Sequence, residues 1–270
     1  MQTEKYKIIG GIKVFHSAQF DHDDYHAQGL ENLYHAEEKH FWFISRKKFI
    51  YQMMSKYIHF DAKVIEVGAG TGNVSHYLLE QGYKDVSVGE MHFNGLRYAK
   101  QQYGIKECLQ FDLFNAPYVD EYDVVCMFDV IEHIADENAA LKKIYQMLKT
   151  DGKIVLTVPA HMWLWNREDA IAGHKRRYSK KYIKQILVKN GFEIVEIKFF
   201  FIFITPLLFL RTVLHKDSGK AISSKEYHQE ISISPILNTL LLYLSSFENK
   251  ISRWLPNVLG GSLFVIARKK

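Results

Sequence analysis

Three glycines at alternate positions, Gly68, Gly70 and Gly72, follow the apolar run Val64-Ile65-Glu66-Val67 and lead into a helical pattern. Such a turn lets the backbone approach a guest closely, and the amides opening the next helix offer donors at a positive dipole end. A carboxylate or a ribose would dock there. Asn73 stands where the dinucleotide fingerprint needs its last glycine, and no Gly-Lys-Ser/Thr follows, so neither pyrophosphate nor a magnesium triphosphate is the favoured guest. Carboxylates recur behind the turn. Glu90 comes roughly 20 residues later, where an acid accepts both hydroxyls of a ribose. Asp112 closes a further apolar run, placed to accept from an exocyclic adenine amine, and Asp129 closes the next.

These residues need a scaffold that brings their segments to one edge. Short apolar runs at 63–67, 85–89, 108–112, 122–128 and 153–158 alternate with helical patterns, among them 74–81 and a helix closed by Asp151-Gly152. Tyr178-Ser179-Lys180-Lys181 opens a helix that ends at Asn190-Gly191, Phe192 to Ile197 resumes as a strand, and Ser262 to Ala267 reads as the last one. This alternation predicts a mostly parallel α/β sheet whose strands deliver Glu66, Glu90, Asp112 and Asp129 to their carboxyl ends, where open sheets bind ligands.

Taken together, the motifs resemble those of class I S-adenosylmethionine-dependent methyltransferases over roughly residues 60–200 plus the final strand. The resemblance implies a Rossmann-like seven-stranded sheet, mostly parallel with its last strand antiparallel, and helices on both faces. It makes Glu66 and the Gly68-Ala69-Gly70-Thr71-Gly72 turn the methionine-binding loop. Glu90 corresponds to the ribose ligand and Asp112 with Leu113 to the adenine contact, and Met91, Phe128 and Asp129 are expected among the cofactor-binding residues. Phe128-Asp129-Val130-Ile131-Glu132-His133-Ile134 is similar to the Glu/Asp-x-x-Glu-His segment of ubiquinone-pathway O-methyltransferases. A Glu-x-x-His-Phe-Trp-Phe segment like that at 37–43 precedes the glycine loop in many bacterial relatives, which implies that Trp42 and Arg46 border the cofactor; packing of these aromatics against the sheet is the competing reading.

The domain expectation is a helical lid over 1–58, a cofactor-binding domain over 59–200 and 261–270, and an apolar helical insertion or cap over 201–260 before the last strand. The run from Phe199 to Leu210 is too short for an ordinary span of about 20 residues and is broken by Pro206. With the apolar helix at 236–247 it either caps the active site or lies in a bilayer interface.

A chain of 270 residues with 47% hydrophobic and 24% charged residues is globular rather than disordered, and 14% aromatics suit an apolar substrate surface. A net charge of +5 without any recognised RNA module argues against nucleic acid. The basic run Lys175, Arg176, Arg177, Lys180, Lys181 and Lys184 reads either as a solvated helix start or as a site for phosphate or an anionic membrane. Cys108 and Cys126 both fall in core strands, which suits a reducing compartment. With no secretory signal at the amino end, the expected place is the cytoplasm, with peripheral contact at the inner membrane face as an extension.

Methyl transfer is an in-line displacement on an activated sulfonium, so positioning carries most of the rate. A hydroxyl acceptor also needs a base, and His133 and His161, after strands four and five, are the candidates. The same region offers a divalent-metal alternative built from Asp129, Glu132, His133 and His161. The expected reaction is O-methylation of an apolar or lipid-linked small molecule, such as a polyprenyl-linked sugar or a quinone-like phenol. A peptide or protein methyltransferase and a non-catalytic cofactor-binding scaffold subunit are the competing readings.

Overall fold

A computed structural model describes residues 6–15, 34–214 and 233–270. Its centre is a nine-stranded sheet in the order β1-β2-β5-β4-β3-β6-β7-β9-β8. The strands are β1 (Tyr6–Ile9), β2 (Ile12–Phe15), β3 (Lys63–Val67), β4 (Asp85–Glu90), β5 (Cys108–Gln110), β6 (Tyr122–Phe128), β7 (Leu148–Pro159), β8 (Phe192–Phe200) and β9 (Ser262–Lys269). From β2 to β7 all pairs are parallel, and β9 runs antiparallel between β7 and β8.

The expected seven strands are thus corrected to nine. Residues 6–15, assigned above to a helical lid, form a hairpin through Gly10 and Gly11, both at positive φ, and β2 lies parallel to β5. Only the later part of the lid region is helical among the described residues: a segment at 34–39 and α1 (Phe41–Tyr57). The expected strand at 108–112 ends earlier, at Gln110, because Asp112 caps the next turn by accepting from the Phe114 amide at 3.0 Å.

Consecutive side chains on a strand face opposite sides, and the cores follow that period of two. Ile65, Val125, Met127 and Val265 pack with α4 (Glu137–Met147) and α6 (Lys180–Lys189) on one face. Val64, Val124, Cys126 and Phe264 pack with α1 and α2 (Asn73–Glu80) on the other. A third cluster seats α3 (Phe93–Gln101) over Val88 and Cys108. Helices therefore cover both faces, and the near-continuous Val/Ile character of the inner strands is what a doubly covered parallel sheet requires. Both cysteines are buried free thiols.

Helix starts follow their capping residues. Asp136 accepts from the Ala139 amide at the head of α4, Ser179 from Tyr182 at the head of α6, and Asn166 with Asp169 forms a capping box on the short α5 (Arg167–Ile171). Between β8 and β9 come α7 (Thr205–Leu214) and α8 (Pro235–Ile251), the latter started by Ser234 and by Pro235 in its first turn. α8 lies along α1, tied by hydrogen bonds from the Phe41 amide to Asn238 and from Asn249 to the Ser45 carbonyl.

Candidate active site

The order of the strands reverses between β3 and β6, since β4 and β5 lie to one side and β7 to the other. Loops leaving β3 and β6 therefore diverge and open a crevice at the carboxyl edge. The glycine turn after β3 is held in place by β4: the Gly68 amide donates to the Gly89 carbonyl at 2.8 Å, and the Gly70 amide to Glu90 Oε2 at 2.9 Å. Glu90 also accepts from the amides of Met91 and His92, so the expected ribose ligand is at the same time a clamp on the turn. Glu66, buried beneath, accepts from the amide and hydroxyl of Ser75 in the first turn of α2.

Two glycines are required by close approach. At Gly68, with φ +72°, a Cβ would lie 2.7 Å from Val130, which brings the turns after β3 and β6 into contact. At Gly95 in α3, a Cβ would lie 2.3 Å from the Gly70 carbonyl oxygen, so α3 can sit on the glycine turn only without a side chain there.

The opposite wall comes from α1 and the segment before it. Arg46 Nε lies 2.5 Å from Asp129 Oδ2, while its Nη2 donates to the Phe128 carbonyl at 2.8 Å and its guanidinium covers the Trp42 ring at 4.8 Å. Asp129 has φ +55°, uncommon for a non-glycine residue, and is fixed there by Arg46, by the Thr157 hydroxyl and by its own amide to the Thr157 carbonyl. Glu37 reaches over to accept from the Thr71 hydroxyl, stitching the lid segment to the glycine turn.

Together these walls enclose a cleft of about 570 Å³. Eleven of the twelve expected cofactor residues line it: Trp42, Arg46, Glu66, Gly68, Gly70, Glu90, Met91, Asp112, Leu113, Phe128 and Asp129. Gly72 does not; it caps α2 at φ +82° and faces Ala99 and Ile105. The charge balance of the lining is strongly acidic, with carboxyl groups from Glu37, Glu66, Glu90, Asp112 and Asp129 against one guanidinium, Arg46. Burial pushes the Glu37 carboxyl up to about 7, with the Thr71 hydroxyl and Arg46 opposing, and burial does the same to Glu66, opposed by Ser75 and Arg46. A cationic guest relieves both desolvated acids, and a sulfonium with an ammonium group matches that field.

His133, Ile134, Ala172 and His174 also line the cleft. The rings of His133 and His174 meet edge to face at 4.8 Å. His174 Nδ1 is 2.8 Å from Asp169, whose carboxylate also takes the Arg177 guanidinium at 2.8 Å. Burial works against ionising Asp169, yet the His174 hydrogen bond and the Arg177 charge hold its carboxyl below the usual range. Behind them Glu132 is fully buried, neither carboxyl oxygen has a hydrogen-bond partner among the described residues, and burial together with the Asp129 charge pushes its pKa well above normal.

His161, the second expected base, is not brought to the cleft. Its ring stacks on Phe199 at 5.1 Å, and burial followed by the Arg177 charge lowers its pKa. The expected metal set is also divided, because Asp129 is committed to Arg46 and Thr157. Among the described residues, Glu132, His133 and His174 are the ones whose donor atoms lie within 4.8 Å of one another. In the basic run, Arg176 and Arg177 are internal ties rather than a free patch: Arg176 binds Glu137 and the carbonyls of Ile134 and Ala135, and Arg177 binds Asp169 and the Ala160 carbonyl. Glu37 and His174 stand inside stretches that the sequence reading singled out, at 37–43 and 173–178, but neither was given a role in the site.

Residues 50–197 match the family model described as a methyltransferase domain. The chain is 31% identical over 100 residues to phosphoethanolamine N-methyltransferase 3 of Arabidopsis thaliana, covering 35% of this chain and 20% of that protein. It is 25% identical over 194 residues to the ubiquinone biosynthesis O-methyltransferase of Escherichia coli O6:H1, covering 68% and 71%. For several curated relatives the match spans 20% to 45% of their length. Among solved structures, the Haloferax volcanii chain bound to the Trm112 methyltransferase activator superposes with a TM-score of 0.59 at 13% identity, covering 91% of this chain and 96% of that one, a likeness of fold.

Proposed function

The chain belongs to the methyltransferase-domain family, and from that premise we propose that it is an S-adenosyl-L-methionine-dependent O-methyltransferase acting on an apolar or lipid-linked small molecule. The observation that carries this reading is one cleft with two unlike groups in its lining: desolvated acids around the glycine turn, and the rings of His133 and His174, which meet beside Ile134. Bound there, S-adenosyl-L-methionine supplies a methyl group activated by its sulfonium charge. The residues that would hold it are Glu66 and the glycine turn for the methionine part, Glu90 for the ribose, and Asp112 with Leu113 for the adenine. Glu37, Arg46 and Asp129 would close the remaining wall.

The acceptor's contribution is a hydroxyl that must lose its proton as the new C–O bond forms. His133, on the cleft wall, is the base that takes it. Asp169 and Arg177 act through His174, fixing the ring against which His133 packs. The aromatic lining from Trp42, Phe43 and Phe128 suits an apolar acceptor.

A second reading rests on Glu132. A fully buried carboxyl group without a hydrogen-bond partner, next to two histidines of which one is oriented by Asp169, is also the outline of a divalent-cation site. It would bind vicinal hydroxyls of a catechol or sugar. Activity unaffected by chelation rejects it.

The test is incubation of the protein with methyl-labelled S-adenosyl-L-methionine and cell extract, followed by separation of organic, aqueous and protein fractions. Label in the organic fraction is expected. Label in protein would instead favour the peptide methyltransferase reading, and tight cofactor binding without transfer to any fraction the scaffold reading. His133→Ala should lower transfer by about 10²–10⁴-fold while leaving cofactor affinity unchanged.

A further inference from the structure

α7 and α8 bury one face each against the core around Phe201, Ile204 and Leu241, and turn the other outward. On α7 that outer face shows Leu210, Val213 and Leu214; on α8 it shows Ile236, Leu240 and Tyr243, with Ile236 86% and Tyr243 74% exposed. The segment after α8 continues it with exposed Trp254 and Val258. The two helices belong to one surface, because Phe203, just before α7, stacks on Phe247 of α8 at 6.3 Å, and Glu248 of α8 accepts the amides of Ile202 and Phe203. Clustered apolar exposure of this kind marks a contact surface.

The charges on the face say what covers it. The described residues from 205–214 and 235–259 carry three cations, Arg211, Lys250 and Arg253, and a single acid, Glu248. Glu248 is 2% exposed and its oxygens are occupied by backbone amides, so it contributes no outward negative charge. Arg211 leans on Glu168 beside the face, while Arg253 lies over the Trp254 ring at 3.9 Å. Two copies meeting through this face would bury Lys250 and Arg253 of both with no outward acid among its described residues to pair them. An anionic lipid surface accepts both the apolar side chains and the cations, and Tyr243 and Trp254 have the amphipathic form that settles at headgroup depth. No described helix is long and apolar enough to cross a membrane, so the contact lies along the surface.

The helices that carry this face also adjoin the cleft wall. Asn238 in the first turn of α8 accepts the Phe41 amide at 2.8 Å, and Phe201 stacks on Trp42 at 6.2 Å, while Trp42 and Phe43 line the cleft wall. We propose that the outer face of α7 and α8, with the Arg253–Trp254 turn, docks on the surface of an anionic phospholipid bilayer and takes the acceptor from the lipid side. The second clause rests on the lipid-linked reading of the acceptor; the docking itself does not.

The experiment is co-sedimentation with vesicles of phosphatidylcholine alone and of phosphatidylcholine containing phosphatidylglycerol, with cofactor binding measured on every variant to show that it is folded. Binding to the phosphatidylglycerol vesicles is expected, falling as salt is raised. Ile236→Asp with Leu240→Asp should abolish it. Lys250→Glu with Arg253→Glu should weaken it by about 10-fold or more while leaving the weak binding to neutral vesicles in place. Absence of binding to anionic vesicles by the wild-type chain overturns the proposal. So does a dimer dissolved by Ile236→Asp, which would assign the face to a second copy. Docking with label only in the aqueous fraction would keep the membrane surface and reject the lipid-linked acceptor.

Discussion

Arg46 on α1 and Asp129 at the end of β6 form an ion pair across the cleft wall, Nε to Oδ2 2.5 Å, with the Asp129 side chain 16% exposed. The pair fastens the helix that precedes the sheet to the turn after its fourth core strand. Removing one partner leaves the other desolvated and unpaired. Arg46→Ala should destabilise the fold by about 2–4 kcal/mol in urea unfolding. Asp129→Asn keeps a residue that tolerates positive φ, and the double variant should lose at least about 1 kcal/mol less than the sum of the two. Additive losses would show that the pair is not coupled.

Glu37 and Glu66 make cofactor affinity depend on pH. Both carboxyl groups are pushed by burial from 4.5 to about 7 in the folded chain. The stability linked to these raised values is fully present below the unfolded value and is lost as pH rises through about 7, so the ligand-free protein should become easier to melt over that window. A cationic ligand favours the ionised acids, so the thermal shift produced by S-adenosyl-L-methionine should grow from about pH 6 to about pH 8. Glu37→Gln should flatten that growth. A shift independent of pH in the unsubstituted protein would contradict the assignment.

At Gly95 an added methyl group would meet the backbone of Gly70, with the carbonyl oxygen 2.3 Å and the carbonyl carbon 3.0 Å away, and neither can swing aside. Gly95→Ala should therefore displace the glycine turn and raise the cofactor dissociation constant by about 10-fold or more, a cost of about 1.4 kcal/mol. Gly104→Ala is the control. Its φ of +65° strains alanine by about 1–2 kcal/mol, but no atom lies within 4 Å of the added Cβ, so binding should be unchanged.

Glu132 separates the two readings of the histidine pair that lines the cleft. If burial keeps it protonated, as its raised pKa implies, glutamine is close to an isosteric replacement. We expect Glu132→Gln to retain activity within about threefold and stability within about 1 kcal/mol, and chelators to have no effect. Loss of activity in both experiments, restored by manganese or magnesium in the chelated protein, would transfer Glu132, His133 and His174 to a cation.

Much of the site was legible because it lies at strand ends. The run Tyr122 to Phe128 is all but free of polar residues and stops at Asp129, and it forms β6 with those bounds. Glu66, Glu90 and the glycines were readable for the same reason: a buried strand followed by a turn fixes where the next side chain points. The amino-terminal hairpin was legible too, since Gly10-Gly11 between two short apolar runs is a two-residue hairpin signal, but it was absorbed into a helical lid. Asp112 was expected at the end of a strand, and its own side chain ends that strand early by capping the turn. His174 lies in the Gly173-His174-Lys175-Arg176-Arg177-Tyr178 stretch, expected in a loop over the carboxyl edge, but nothing local gives it a role, because its place beside His133 depends on Asp169 and on the path of the loop after β7. Similarly, Glu37 acquires its role only through the Thr71 hydroxyl, a contact between segments that no periodicity records.

The position of β9 sets the order of assembly. It lies between β7 and β8 and pairs with each along nearly its whole length, from Lys153↔Arg268 to Pro159↔Ser262 on one side and from Phe192↔Lys269 to Phe200↔Ser262 on the other. During synthesis, β7 and β8 both leave the ribosome well before their shared partner exists, and each presents an unpaired apolar edge until Ser262–Lys269 arrives. A nascent chain of this protein thus carries an unfinished sheet from the emergence of β7 until β9 follows, and completion waits on a segment of eight residues.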